Sequence, residues 1–152
     1  MKNLLIKALK RHYNETKVLF EQVTNESIKT EPVPTGKPLG ELLLHMIRAM
    51  EFYLVGMIEE VWEPLPYTMD KYNTKARILR LYDEVVDRCN GYLEIIKGHD
   101  LNTTVYVDYS KNNVSKKEIL LEFLEHNIGH RGQLLVYLRL LGIKPEKMPF
   151  KV

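Results

Sequence analysis

Apolar residues recur at alternating steps of three and four along four stretches of the chain, separated by breaks rich in proline or glycine. That period belongs to a helix with one buried face. The first stretch predicts a helix from about Asn3 to Glu26, with Leu5, Leu9, Tyr13, Thr16, Phe20 and Val23 on its inner face. Pro32, Pro34, Gly36 and Pro38 punctuate the loop that follows. Pro38 suits the first position of the next helix, where its missing N–H would have no partner anyway. The second helix is predicted from about Pro38 to Glu60 and carries two stripes. Leu39, Leu43, Met46, Met50, Tyr53 and Met57 form a bulky one; Leu42, His45, Ala49, Phe52 and Gly56 form the other. Small Ala49 and Gly56 lie on the His45 side, where they either leave room near the imidazole or allow close helix packing. Pro64 and Pro66 then break the chain.

The third helix is predicted from about Asn73 to Lys97, with Ile78, Tyr82, Val85, Cys89, Tyr92 and Ile96 inward and Gly98 as its C-cap. The stretch His99–Asn113 does not fit a helix. Thr103, Val105, Val107 and Tyr109 alternate, which predicts a short extended piece or hairpin arm rather than a sheet. Ser115-x-x-Glu118 is a capping box that opens the fourth helix. That helix ends near Leu141-Gly142, with Pro145 beyond. The expected architecture is all-α, a four-helix bundle with an irregular or extended segment between helices 3 and 4. Glu59–Tyr72 and His99–Val114 are long for simple hairpin connections, so at least one can cross the bundle.

A chain of 152 residues suits one domain, taken as 1–152, and is too short for two well-cored ones. With 45% hydrophobic and 28% charged residues, the profile is that of a soluble globular protein. A net charge of +2 is too balanced to point to nucleic acid or membrane. No apolar run is long enough to span a bilayer, and no signal peptide is evident. The single cysteine, Cys89, excludes an intramolecular disulfide and suits a reducing cytoplasm. It lies on a core stripe, where an inert buried thiol is the expected state.

The fourth helix carries the candidate chemistry. Ile119, Phe123, His126, His130, Gln133, Tyr137 and Leu140 form one stripe, so two imidazoles stand where packing alone would place Leu or Ile. Residues four apart lie one turn apart on one face, close enough to bind one metal ion. His45, mid-way along the second helix, is the best third ligand. Three neutral imidazoles with a position left for water or substrate make an open metal site. Imidazole suits zinc, nickel or iron equally well. His12 reads as half of a surface pair with Glu15, and His99 as an exposed loop residue. Gln133, Tyr137 and Glu122 are candidates for orienting a ligand or substrate, with packing or solvation as the alternative. Arg48 and Arg131 are cations available to an acidic substrate, with a surface role as the alternative. No catalytic residue is assigned.

In Leu42-Leu43-Leu44-His45-Met46-Ile47, in His126-Asn127-Ile128-Gly129-His130-Arg131-Gly132-Gln133 and in Leu138-Arg139-Leu140-Leu141-Gly142-Ile143-Lys144-Pro145, the chain resembles the DinB/YfiT-like superfamily of metalloenzymes. That superfamily is unrelated to the DNA polymerase of similar name. Tyr13-Asn14 is a weaker match. The resemblance implies an up-down-down-up bundle, a homodimer and a divalent metal on His45, His126 and His130. It gives no substrate. Some relatives resemble thiol S-transferases or isomerases that use low-molecular-weight thiols. The expected function is therefore a metal-dependent enzyme acting on a small molecule, of thiol-transferase or hydrolase type. A non-catalytic stress-response or binding bundle with a bound metal is the alternative. A second apolar row on helix 4, Leu120, Leu124, Ile128, Leu135 and Leu138, needs cover from the bundle or from a two-fold partner.

Overall fold

Each of the four periodic stretches is a helix in a computed structural model that describes residues 1–34 and 36–145. The helices are α1 (Lys2–Phe20), α2 (Leu39–Glu59), α3 (Lys75–Ile95) and α4 (Lys116–Leu140). Between α3 and α4 lies an antiparallel hairpin, β1 (Thr104–Val107) and β2 (Asn112–Ser115), in which Val105 faces Val114. The fold is thus an all-α four-helix bundle with one short extended segment. Among the described residues, no helix is long and apolar enough to cross a membrane.

The helix ends show which local rules prevailed. At α4, the Ser115 side chain accepts from the Glu118 N–H while the Glu118 carboxylate accepts from the Ser115 N–H, the expected capping box. Gly142, at φ +75°, then turns the chain left-handed, and the Ile143 N–H returns to the Leu138 carbonyl. Pro38 is the N-cap of α2 rather than its first residue, α3 starts at Lys75 rather than Asn73, and two further ends differ from the sequence reading. Helix α1 stops at Phe20, not Glu26, because Thr24 and Ser27 each accept the other's backbone N–H through their hydroxyls. Such local bonds compete with the helical ladder. Gly98 is not the C-cap of α3; the helix ends at Ile95, and Gly98 opens a 3-10 turn, Gly98–Asn102.

Bonds between helices fix their directions. Glu51 pairs with Arg88 and Glu59 with Tyr92, so α2 and α3 run parallel. His45 meets His130 and Tyr53 meets Glu122, so α2 and α4 are antiparallel. The α3 residues Lys75 and Asp83 reach Glu21 and Lys17, so α1 and α3 are antiparallel. The result is up-down-down-up. Helix α1 packs on α3 and α4, α2 also packs on α3 and α4, and α1–α2 and α3–α4 are diagonal. Parallel α2 and α3 need a connection as long as the bundle. A 21-residue helix is about 32 Å long, and 15 extended residues span up to roughly 50 Å. Segment 60–74 suffices. Both diagonal links, α1 to α2 and α3 to α4, cross an end of the bundle.

The core holds Tyr13, Phe20, Leu43, Met46, Tyr82 and Phe123, all essentially without solvent contact. The Tyr82 hydroxyl donates to the Tyr13 carbonyl at 2.7 Å, and the Phe20 ring packs 4.8 Å from that of Tyr82. Truncating a buried ring of this kind costs about 3–5 kcal/mol. The histidine stripe of α4 is not the core face along its whole length. Ile119 and Phe123 are buried, His126 and His130 are half-buried, and Gln133 and Leu140 are exposed. The core face instead continues through Asn127, Arg131, Leu134 and Leu138. The stripe therefore leaves the core and enters a cleft between α2 and α4. The second apolar row is mostly covered within the bundle. Leu120, Leu135 and Leu138 are buried, Leu124 is partly so, and Ile128 stays 43% exposed.

Candidate metal centre

Helix α2 brings His45 and α4 brings His126 and His130 to one point of that cleft. One ring nitrogen from each lies within 4.8 Å of the other two. His45 Nε2 and His130 Nε2 are 3.0 Å apart. Two nitrogens bound to one ion at about 2.0–2.1 Å lie roughly 2.9–3.4 Å apart, for angles from a right angle to the tetrahedral one. The observed pair falls in that range. His126 Nε2 is buried and has no hydrogen-bond partner, a costly state for a polar atom unless a ligand takes it. The donor set fits a divalent ion.

Neighbouring groups prepare the rings. Gln133 Oε1 accepts from His130 Nδ1 at 2.9 Å, and Gln133 Nε2 donates to the Tyr137 hydroxyl at 3.2 Å. Tyr137 thus sets the amide's orientation, and the amide keeps the proton on Nδ1. The lone pair of His130 Nε2 is left facing the cluster, the arrangement by which ligand histidines are commonly aligned. Burial, aided by His130, His126, Arg48 and Lys37, lowers the His45 pKa to about 4. Burial and His130 also lower that of His126, against the opposing pull of Glu122. Both are therefore neutral near pH 7, as metal ligation requires.

The other candidates divide. Glu122 does not hydrogen-bond a cluster histidine; its Oε1 accepts from Tyr53 at 3.1 Å and Tyr109 at 3.2 Å. Arg48 lies at the cleft, with one nitrogen 2.5 Å from Glu41 and another donating to the Tyr67 carbonyl. Arg131 is no surface charge. It is buried, pairs with Glu15 at 2.5 Å and reaches His12 Nδ1 at 3.2 Å. His12 is not a surface residue either, being 2% exposed. Arginine only donates, so His12 Nδ1 accepts and its Nε2–H points to Thr16 Oγ1 at 3.3 Å. His99 is exposed beside Asp100. Cys89 is buried, and burial with nearby Glu51 pushes its thiol up to about 12, so it supplies no thiolate near neutral pH. The two small residues of α2 also divide. Ala49 lines the cleft, whereas a Cβ on Gly56 would meet the Trp62 ring at 2.3 Å, so Gly56 serves packing. Sequence reasoning missed Gly36, Lys37, Pro64 and Leu65 as cleft walls, since proline-rich loops read only as breaks.

A model of the DinB superfamily matches residues 8–134, most of the chain. The protein belongs to the DinB superfamily. YjoA of Bacillus subtilis strain 168 is 22% identical over 141 residues, covering 92% of this chain and 90% of its own. A DinB-like protein from Bacillus cereus ATCC 10987 superposes with a TM-score of 0.80 at 20% identity, over 95% of both chains. YfiT from Bacillus subtilis superposes at 0.68 with 18% identity, over 94% of this chain and 89% of its own. YfiT is described as a probable metal-dependent hydrolase with an unusual four-helix bundle topology. At these identities the superpositions bear on the fold of this DinB-superfamily chain.

Proposed function

We propose that this protein is a metal-dependent enzyme acting on a small molecule, with one divalent ion held by His45, His126 and His130. The observation that carries the reading is the buried, partnerless Nε2 of His126 beside the 3.0 Å His45–His130 nitrogen pair. The description of YfiT as a probable metal-dependent hydrolase supports it. When bound, such an ion supplies Lewis acidity that lowers the pKa of a water or thiol reaching it. Gln133, backed by Tyr137, holds His130 in the ligating tautomer. The Tyr53 hydroxyl borders the cleft and donates to Glu122; burial and that carboxylate raise its pKa, so it keeps its proton near neutral pH. With Cys89 buried and protonated, the nucleophile comes from outside the chain, as water in a hydrolase or as a small thiol in an S-transferase. Zinc, nickel and iron all suit the donor set.

Metal analysis by mass spectrometry on protein purified without a histidine tag tests this reading. One ion per chain is expected; a metal-free, fully folded protein would overturn it. Turnover with water or a small thiol as acceptor then separates the hydrolase from the transferase. We also propose a two-fold dimer through the outer faces of α1 and α4, where Leu4, Leu121 and Ile128 remain exposed. Sedimentation at micromolar concentration is expected to show a dimer, and a monomer alone would contradict it.

A further inference from the structure

Two chambers of unlike character meet at His45 and Arg48. The first, about 380 Å³, runs along the cleft past Lys37, Glu41, Gln133 and Tyr137. The second, about 260 Å³, runs the other way between Ala49, Phe52, Tyr53, Pro64 and Leu65. The second is wide enough for a six-membered ring, since an engineered apolar cavity of about 150 Å³ already admits benzene. Its walls are braced from behind, where Trp62 stacks edge-on against Phe52 and its Nε1–H donates to the Tyr106 carbonyl at 2.8 Å. Hairpin residue Tyr109 closes on the same cluster, packing against both Phe52 and Trp62.

Charge separates the chambers. Glu41 is the only carboxylate among their described lining residues, and it is already paired with Arg48 at 2.5 Å. Arg48 is fixed between that carboxylate and the Tyr67 carbonyl, so it is a rigid cation rather than a mobile one. Lys37 remains as positive charge not paired within the chamber. Three neutral imidazoles would leave a divalent ion's charge uncompensated by the chain. Both sources of positive potential point to one kind of partner, an anion.

We infer that the site takes an amphiphilic carboxylate, with its acid group in the Lys37–Arg48 chamber and an aromatic or branched apolar group between Phe52 and Leu65. The inference rests on the metal-dependent reading, because the group to be transformed then lies beside His45, where the chambers meet. It narrows the substrate class to molecules carrying an anionic end and an aromatic or branched apolar end on either side of the reacting centre.

Isothermal titration calorimetry on the full chain tests this with 3-phenylpropanoate and its neutral amide, each added to metal-loaded and chelator-stripped protein. The carboxylate is expected to bind about tenfold or more tightly than the amide, the scale of one charge-assisted contact. Lys37→Ala should narrow that preference and leave the amide unaffected. Leu65→Asp, at a half-buried loop position, should abolish binding of both probes; circular dichroism confirms its fold. Equal affinity for acid and amide in the loaded protein, or unchanged binding by Leu65→Asp, overturns the inference. Metal content of the same samples keeps the two readings apart. A protein that binds metal but ignores the carboxylate retains the metal reading and loses this one. A protein that never binds metal but still prefers the acid through Lys37 loses the metal reading and keeps only the assignment of the two chambers as a carboxylate-binding site.

Discussion

Helix α4 serves histidines on two faces, and the faces treat them oppositely. Toward α1, Arg131 meets His12, whose two ring nitrogens are both engaged, by Arg131 and Thr16. Toward α2, His126 and His130 meet His45, and a buried nitrogen of His126 has no partner. The first cluster keeps His12 and Arg131 buried and borders a small cavity of about 40 Å³, while the second opens on two larger chambers. Both keep imidazole neutral by burial, which lowers His12 to about 3 and His45 to about 4. A low pKa therefore does not mark a functional histidine. What distinguishes the two clusters is a nitrogen without a partner, on a ring that lines a cavity.

The largest effect is expected from Arg131→Met. It leaves Glu15 only the exposed Arg11, 4.0 Å away, and His12 Nδ1 without its donor, and breaking a largely buried pair of this kind costs about 3 kcal/mol. Urea unfolding measures the loss. The protein that remains folded should still hold its metal, because the α1–α4 pair touches no ligand.

Acid should separate the clusters next. His12 takes up a proton near 6.5 when unfolded but only near 3 when folded. The unfolded state therefore binds more protons in between, and stability falls as pH drops from about 6.5 toward 3. The slope is about 1.4 kcal/mol per pH unit for one such proton. His45 adds its own share down to about pH 4 in metal-stripped protein. Denaturation midpoints of stripped His12→Gln should depend less steeply on pH over this window; an unchanged slope would remove His12 from the account.

Gln133→Leu is expected to weaken metal binding about 10–100-fold, since it removes the acceptor that sets the His130 tautomer. Being on an exposed residue, it should change stability by no more than about 0.5 kcal/mol. A competitive chelator titration reads the affinity. The smallest effect belongs to Tyr109→Phe. Glu122 keeps its bond from Tyr53, so the expected loss is about 0.5–1 kcal/mol with full metal content.

Periodicity made the four helices legible, and the Ser115–Glu118 box and Gly142 gave the ends of α4. The end of α1 was not legible, because the competing Thr24–Ser27 bonds depend on how that turn closes. The three cluster histidines could be found because they interrupt apolar stripes with two ligands at helical spacing. His12 was misplaced for a related reason. It stands one residue off the α1 stripe with Glu15 three residues on, which reads as a surface pair until α4 delivers Arg131 from 119 positions away. Such a contact has no local signature. The chamber walls from Lys37, Pro64 and Leu65 likewise come from loops whose paths are set by the diagonal and parallel crossings of the bundle.

The most direct test is metal content per folded chain in four single variants, His12→Ala, His45→Ala, His126→Ala and His130→Ala. The account predicts one ion in the unmodified protein and in His12→Ala, and loss of that ion in the other three with the helical signal kept. Full metal in both His45→Ala and His126→Ala, or loss of metal from a folded His12→Ala, would contradict it.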